Sequence, residues 1–304
     1  MRIILYSLLF LLSLVYSAGA SHNEATKYQF ERHSTLIYEQ LSNNKNISKP
    51  SLHVFQTAYK GYLNLLQQEK LVQNSLLTIC DFTLSSNIKR MWVIDLKNKK
   101  ILFHTLVAHG QGSGEEFAAT FSNLPESHQS SQGFYITGDT YQGGHGFSLK
   151  LHGIEPGYND KAYERAIVIH GANYVSEQFC IENKRLGRSH GCPALPTDLA
   201  PKIIEKIQSG HCLFIYHTAN NYLKHSSLLK KTPELSIDPF YPNNDAQSNI
   251  NETPTMVYDE NEICPPQTSS SNEAESVTEN NIQRSIISKE EYLKLKPRDK
   301  KSGS

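Results

Sequence analysis

The chain has 304 residues, enough for one large domain or two modest ones. Lys plus Arg and Asp plus Glu both number 30, a balance that gives no hint of nucleic acid or an acidic surface as partner, and no nucleic acid is expected. An apolar share of 38% is low, which implies that part of the chain does not pack into a core.

Arg2 is followed by an apolar run from Ile3 to Val15 and then by Ala18-Gly19-Ala20. This reads as a secretory signal over residues 1–20 with cleavage after Ala20, so the mature protein is expected to be exported. A single membrane anchor is the alternative, but the run is shorter than the ~20 residues a spanning helix needs. No later segment could span a bilayer, so no stable membrane span is expected after cleavage. Residues 21–75 form a helical N-terminal extension in this reading. Leu36, Ile37 and Leu41, then Val54, Phe55, Tyr59, Tyr62, Leu63 and Leu66, recur at helical spacing, with Pro50 at the start of the second run.

From Leu76 the pattern turns to short β-rich runs: Leu76–Phe82, Met91–Leu96, Ile101–Ala108, Gly133–Thr137, Ser148–His152, Ala166–His170 and Cys212–His217. Asn98-Lys99 suggests a hairpin turn, Gly143-Gly144-His145-Gly146 separates the fourth run from the fifth, and Pro201–Ile207 reads as a short helix. The pattern alone says only that this part of the chain is β-rich. Residues 219–304, rich in Asn, Ser, Glu, Lys and Pro, form a polar tail expected to be largely disordered from about 225 onward.

Five cysteines, Cys80, Cys180, Cys192, Cys212 and Cys264, leave at least one without an intrachain partner. Cys80 and Cys212 sit in strand-like runs and fit small buried apolar residues. With Cys192 free, the other four could form up to two disulfides.

Cys192 lies in the turn Gly187-Arg188-Ser189-His190-Gly191-Cys192-Pro193-Ala194-Leu195, and His170 ends the apolar strand Ala166–Ile169. A thiol and an imidazole on adjacent elements suit acyl transfer through a thioester, the imidazole holding the sulfur as thiolate. The Gly171 carbonyl could accept the His170 N–H and fix its tautomer. Gly191 lets backbone amides of the turn converge on a substrate carbonyl as an oxyanion hole. Tyr141, His145 and His152 precede the His170 strand and could line the cleft. The bland alternative is a structural thiol beside a satisfied histidine. A zinc site of His170, His190 and Cys192 is a further alternative, but no HExxH or CxxC motif accompanies it, so neither metal nor cofactor is expected.

His170-Gly171 with Ser189-His190-Gly191-Cys192 resembles the signature of the YkuD-type L,D-transpeptidases. Gly187 through Pro196 resembles more closely the murein L,D-transpeptidase catalytic-domain-like branch. So do Trp92-Val93-Ile94-Asp95-Leu96, His109-Gly110-Gln111-Gly112-Ser113-Gly114, Ser122-Asn123, Ser127-His128-Gln129-Ser130-Ser131 and Tyr141-Gln142-Gly143. The resemblance covers about 76–218 and implies a YkuD-like β-sandwich. It implies Cys192 as nucleophile, His170 as base oriented by Gly171, and oxyanion amides from His190, Gly191 and Cys192. Arg188, Ser189, Tyr141 and His152 are the substrate-binding candidates. The implied substrates are peptidoglycan stem peptides in a bacterial periplasm or cell envelope. The resemblance leaves open a carboxypeptidase or crosslink hydrolase on the same fold, and a non-catalytic wall-binding module. Better-studied members carry an arginine two positions after the cysteine, where this chain has Ala194; Arg188 is the cation in the same turn that could replace it.

Overall fold

Residues 24–42, 47–237 and 240 are described in a computed structural model of the chain. The strands are β1 (Leu77–Asp81), β2 (Met91–Asp95), β3 (Lys100–Thr105), β4 (Gly133–Gly143), β5 (Gly146–Gly153), β6 (Val168–Gly171), β7 (Ala194–Leu195) and β8 (Cys212–Tyr216). They join one sheet in the order β3-β2-β1-β8-β4-β5-β6-β7. Two of its pairings are parallel, β1 with β8 and β6 with β7, and the second builds the site. Seven strands fall on the β-rich runs of the sequence. The mostly β architecture is thus observed, with its strands in a single bent sheet.

Alternation along the strands sends side chains to two cores. Ile79, Trp92 and Phe214 face a helical layer that contributes Phe30, Ile37, Phe55, Tyr59 and Tyr62. That layer comprises α1, helical over 24–40, and α2 (Leu52–Gln67). Ser51 caps α2 by accepting the Val54 amide. Gly61 lets the helix lie directly on the ring of Phe134, since a Cβ built there would fall 1.9 Å from the ring. Cys80, Val93, Leu149, Leu151, Ile169, Leu213 and Ile215 form the second core with Ile203, Ile204 and Ile207 of α4 (Ala200–Ile207). β2 and β5 both reach this core although β1, β8 and β4 lie between them, so the sheet curls around it. Register shifts at Val93/Ile94 and Thr137/Thr140 accommodate the bend.

Packed chain continues past residue 218, where composition placed the start of the polar tail. Short helices α5 (Tyr222–His225) and α6 (Ser227–Lys230) follow β8, and Tyr222, Leu228, Leu229 and Leu235 enter the first core. The Glu155 carboxylate, itself buried, accepts hydrogen bonds from Phe134 N (2.8 Å), the Tyr222 hydroxyl (2.5 Å) and the Ser226 hydroxyl (2.5 Å). Scattered apolar residues can therefore dock on a preformed surface without a core of their own. The rest of the proposed tail and the signal segment 1–20 lie outside the described residues. Cys80, Cys180, Cys192 and Cys212 are all free thiols; Cys264 lies outside the described residues. No described helix is long and apolar enough to cross a membrane.

Candidate active site

Pairing of β6 with β7 brings the thiol and the imidazole together. His170 is opposite Ala194 in the parallel register, which sets Cys192 level with Val168. The Val168 amide donates to Cys192 Sγ at 3.4 Å, and Sγ lies 3.8 Å from the Ala166 carbonyl. The sulfur is thus held beside the strand, two residues short of His170, whose ring is not among its hydrogen-bond partners.

His170 is 2% exposed. Its Nδ1 lies 3.0 Å from the Gly171 carbonyl, so Nδ1 carries the proton and Nε2 is left as the basic nitrogen. Burial holds the His170 pKa below the usual imidazole range; the Gly171 carbonyl opposes this and His145 adds to it. Burial pushes the Cys192 thiol up, against the Val168 amide and Arg165. These directions correct the expectation of a resting thiolate held by an imidazolium. Both directions favour the neutral thiol and the neutral imidazole over a thiolate–imidazolium pair.

The Cys192 turn is closed by its own serine. Ser189 Oγ donates to the Cys192 carbonyl at 2.6 Å and accepts the Gly191 amide at 3.1 Å. Ser189, expected from the sequence to contact substrate, is 5% exposed and engaged with the turn, so it shapes the loop. Gly191 likewise drops out of the expected oxyanion set, its N–H already being used. The His190 and Cys192 amides donate to no other residue among the described residues. Gly191 adopts φ +119°, a region that disfavours any side chain.

Around this turn the structure assembles residues that sequence reasoning did not single out. Buried Ser130 donates to the Gly191 carbonyl at 3.1 Å and accepts the Gly110 amide at 3.0 Å. Arg165, immediately before the His170 strand, donates to the Ser122 and Gln129 carbonyls and to Ser127 and Ser131. Ser127–Ser131 is one of the segments that carry the family resemblance, and that was the available signal.

Behind the turn, Ser189 N donates to the His109 carbonyl and Gln111 N to the Ser189 carbonyl. The His109 ring is fixed by the wholly buried Arg90, whose Nη2 lies 2.7 Å from Nδ1. An arginine nitrogen can only donate, so Nδ1 accepts and Nε2–H faces the Gly114 carbonyl at 3.3 Å. Burial first, then the Arg90 charge, pushes the His109 pKa down to about 3.

The remaining sequence candidates separate. Tyr141 is opposite Ser148, which is opposite His170, so it shares a cross-strand row with the imidazole. His145, at the β4–β5 turn, stacks on His170 with ring centroids 4.4 Å apart. His152 stacks on Tyr163 four residues along β5 from that row, roughly 13 Å away, and does not join the site. Arg188 turns away from Cys192 to the Gly114 carbonyl (3.0 Å) and to Glu115 (2.7 Å), which also pairs with Arg185. The expectation that Arg188 replaces a guanidinium at position 194 is thereby corrected. Ala194 is wholly buried among Leu106, Ala108, Ala172, Val175 and Leu186, a pocket with no room for arginine. His190 stacks on His128 at 4.2 Å. Among the described residues, no three His, Cys, Asp or Glu side chains converge as metal ligands.

A family model described as the L,D-transpeptidase catalytic domain matches residues 46–216, more than half of the chain. Among solved structures, the chain is similar to the L,D-transpeptidase from Mycobacterium smegmatis, with 10% identity over 47% of this chain and 59% of that one and a TM-score of 0.30. It is similar to a cysteine-to-serine mutant of the Enterococcus faecium L,D-transpeptidase, at 12% identity over 47% and 50% with a TM-score of 0.30. It is also similar to the L,D-transpeptidase from Xylanimonas cellulosilytica, at 12% identity over 62% and 93% with a TM-score of 0.28. The chain spans less than two thirds of the first two relatives. No curated protein matches it.

Proposed function

Because the chain belongs to the L,D-transpeptidase catalytic-domain family, we propose that it is an exported cysteine acyltransferase acting on peptidoglycan stem peptides through a thioester on Cys192. One observation carries this reading. Cys192 Sγ sits on the Val168 amide, two residues along the strand from a buried His170 whose free nitrogen is Nε2.

His170 Nε2 takes the Sγ proton as the sulfur attacks the carbonyl of the third stem residue, forming the C–S bond. The His190 and Cys192 amides donate to the oxyanion, an effect worth about 3–4 kcal/mol per donor in acyl transfer. The tetrahedral adduct collapses with cleavage of the bond to the terminal D-Ala, whose departing amine receives the proton from His170. In the second half an acceptor amine attacks the thioester and gives its proton to His170. The C–N bond forms, the C–S bond breaks, and the thiolate recovers the proton. A short rotation of Sγ from the Val168 amide toward Nε2 starts the cycle, and catalytic hydrogen bonds commonly tighten only once substrate is bound. Water in place of the amine turns the same cycle into a carboxypeptidase or a crosslink hydrolase.

Incubation with disaccharide tetrapeptides, read by mass, tests the reading. Crosslinked dimers mark transfer to an amine, and tripeptides mark hydrolysis. A carbapenem should add one mass equivalent to the wild type and none to Cys192→Ala. Intact tetrapeptides together with an unmodified wild type would overturn the enzyme and leave the wall-binding module.

A further inference from the structure

Burial alone would leave the Cys192 thiol poorly reactive, because the thiolate and not the thiol is the nucleophile. What offsets burial must be a donor or a cation close to the sulfur. The Val168 amide is such a donor. Of the other titratable groups near the turn, Tyr174 and His170 are neutral at pH 7, because burial raises Tyr174 to about 12 and lowers His170. The His190 ring is engaged with His128.

We propose that Arg165 is the positioning residue of the nucleophile: its guanidinium both braces the loop under the Cys192 turn and supplies the positive charge that favours the thiolate. Two features of the chain put it there. Ala166 adopts φ +52°, a left-handed conformation uncommon for a residue with a Cβ. This bend separates Arg165 from the strand and lets both flank the sulfur, with the Ala166 carbonyl at 3.8 Å and the Val168 amide at 3.4 Å. The guanidinium then reaches back under the turn. A Cβ built on Gly191 would lie 3.4 Å from Arg165 Nη2 and 2.7 Å from the Gln129 carbonyl, the group that Nη2 holds at 2.7 Å.

Its partners matter as much as its place. The Ser122 and Gln129 carbonyls and the Ser127 and Ser131 hydroxyls are all neutral, and Arg165 has no carboxylate partner among the described residues. Arg188, by contrast, is paired with Glu115. Arg165 therefore keeps its full charge, fixed by a planar fork of donors that lysine cannot reproduce. The Cys192–Arg165 attraction acts on both groups, favouring the charged form of each against burial.

The inference rests on Cys192 being the reactive thiol of the proposed acyltransferase, but its test needs no peptidoglycan. Alkylation of Cys192 by iodoacetamide, followed by peptide mass across pH, gives the midpoint of thiolate formation. Arg165→Met should raise that midpoint by about one pH unit, roughly a tenfold slower reaction at pH 7. Arg165→Lys keeps the charge and loses the fork, so its midpoint should remain near the wild type while the loop contacts weaken. Equal midpoints in wild type and Arg165→Met would overturn the proposal. So would equal upward shifts in both variants, which would mean a purely structural brace. If Arg165→Met does not fold, the lysine variant decides: a midpoint kept near wild type supports the charge role, and one displaced upward refutes it. A protein that left stem peptides untouched but showed these shifts would sink the proposed substrate and not the role of Arg165.

Discussion

His145 lies flat against His170, ring centroids 4.4 Å apart and planes 23° from parallel. The turn that carries it, Gly143 to Gly146, has open space around Gly144 and Gly146, so the hairpin tip touches the site chiefly through this ring. His145 covers one face of the imidazole proposed as base. Burial is the main reason that His170 is less basic than a free imidazole, and His145 adds to it. His145→Ala should therefore let the His170 pKa rise toward its ordinary value. The base must be neutral, so the acid limb of the acylation rate should move to higher pH, with a smaller change in the plateau. A limb that stays in place would show that the stack does not govern His170.

His170→Ala should slow acylation by about two to four orders of magnitude, the usual range for loss of a general base. The side chain is buried under the ring of His145 at the β4–β5 hairpin tip, so the variant should keep its near-ultraviolet circular dichroism. An unfolded variant would mark His170 as structural.

His109 gives a pH dependence of stability. Its pKa in the folded protein is pushed down to about 3, against about 6.5 when unfolded. A depressed pKa means that the neutral ring is the folded form. Its contribution is complete above pH 6.5 and is lost as pH falls from there toward 3. At pH 4 the loss amounts to about 3 kcal/mol by linkage. His109→Gln cannot protonate, so its stability should fall less between pH 6.5 and 4 than that of wild type. Parallel curves for the two proteins would remove His109 as the source.

Much of this arrangement was legible in the sequence, for reasons that also explain what was not. Strands such as those of Ile79, Val93 and Ile215 lie in long β-branched runs and announce themselves. β7 is only Ala194–Leu195, too short for any periodicity, yet its pairing with β6 aligns Cys192 with Val168. α3 (Glu177–Asn183) buries no residue, so it shows no apolar stripe to read. Arg165 and Ser130 act through backbone carbonyls of distant loops, contacts that no local pattern encodes. Cys192 and His170 stand out in the sequence because glycines flank both and a family signature joins them.

Glu155 anchors the segment that follows β8 to the sheet. Its buried carboxylate accepts from Phe134 N, Tyr222 and Ser226, and Asn64 Nδ2 reaches the Leu228 carbonyl at 2.8 Å. Glu155→Ala strands three donors, at about 1–3 kcal/mol for each buried group left unpaired. A several-degree drop in Tm is expected, and truncation after residue 218 should produce a comparable one. Truncation after residue 240 should leave Tm and carbapenem acylation unchanged. A large drop in Tm on removing only the residues after 240 would place further docking residues there.

Arg188 and Ala194 bear on what supports the Cys192 turn. Arg188 meets Glu115 at 2.7 Å, but that carboxylate is 70% exposed. Exposed ion pairs contribute about 0–1 kcal/mol, so Arg188→Ala should cost little stability. Its other partners are the Gln111 and Gly114 carbonyls, on the loop behind Ser189 and not on the turn itself. Acylation of Cys192 in Arg188→Ala should accordingly stay within about threefold of wild type, far from the loss expected of Arg165→Met. Ala194→Arg should fail for a different reason. The methyl group there is wholly buried in a small apolar pocket and lies on the strand paired with His170. A guanidinium forced into it would be an unpaired buried charge, destabilising by several kcal/mol. A folded, active Ala194→Arg protein, or a more than tenfold slower Arg188→Ala, would return the support of the turn to these two positions.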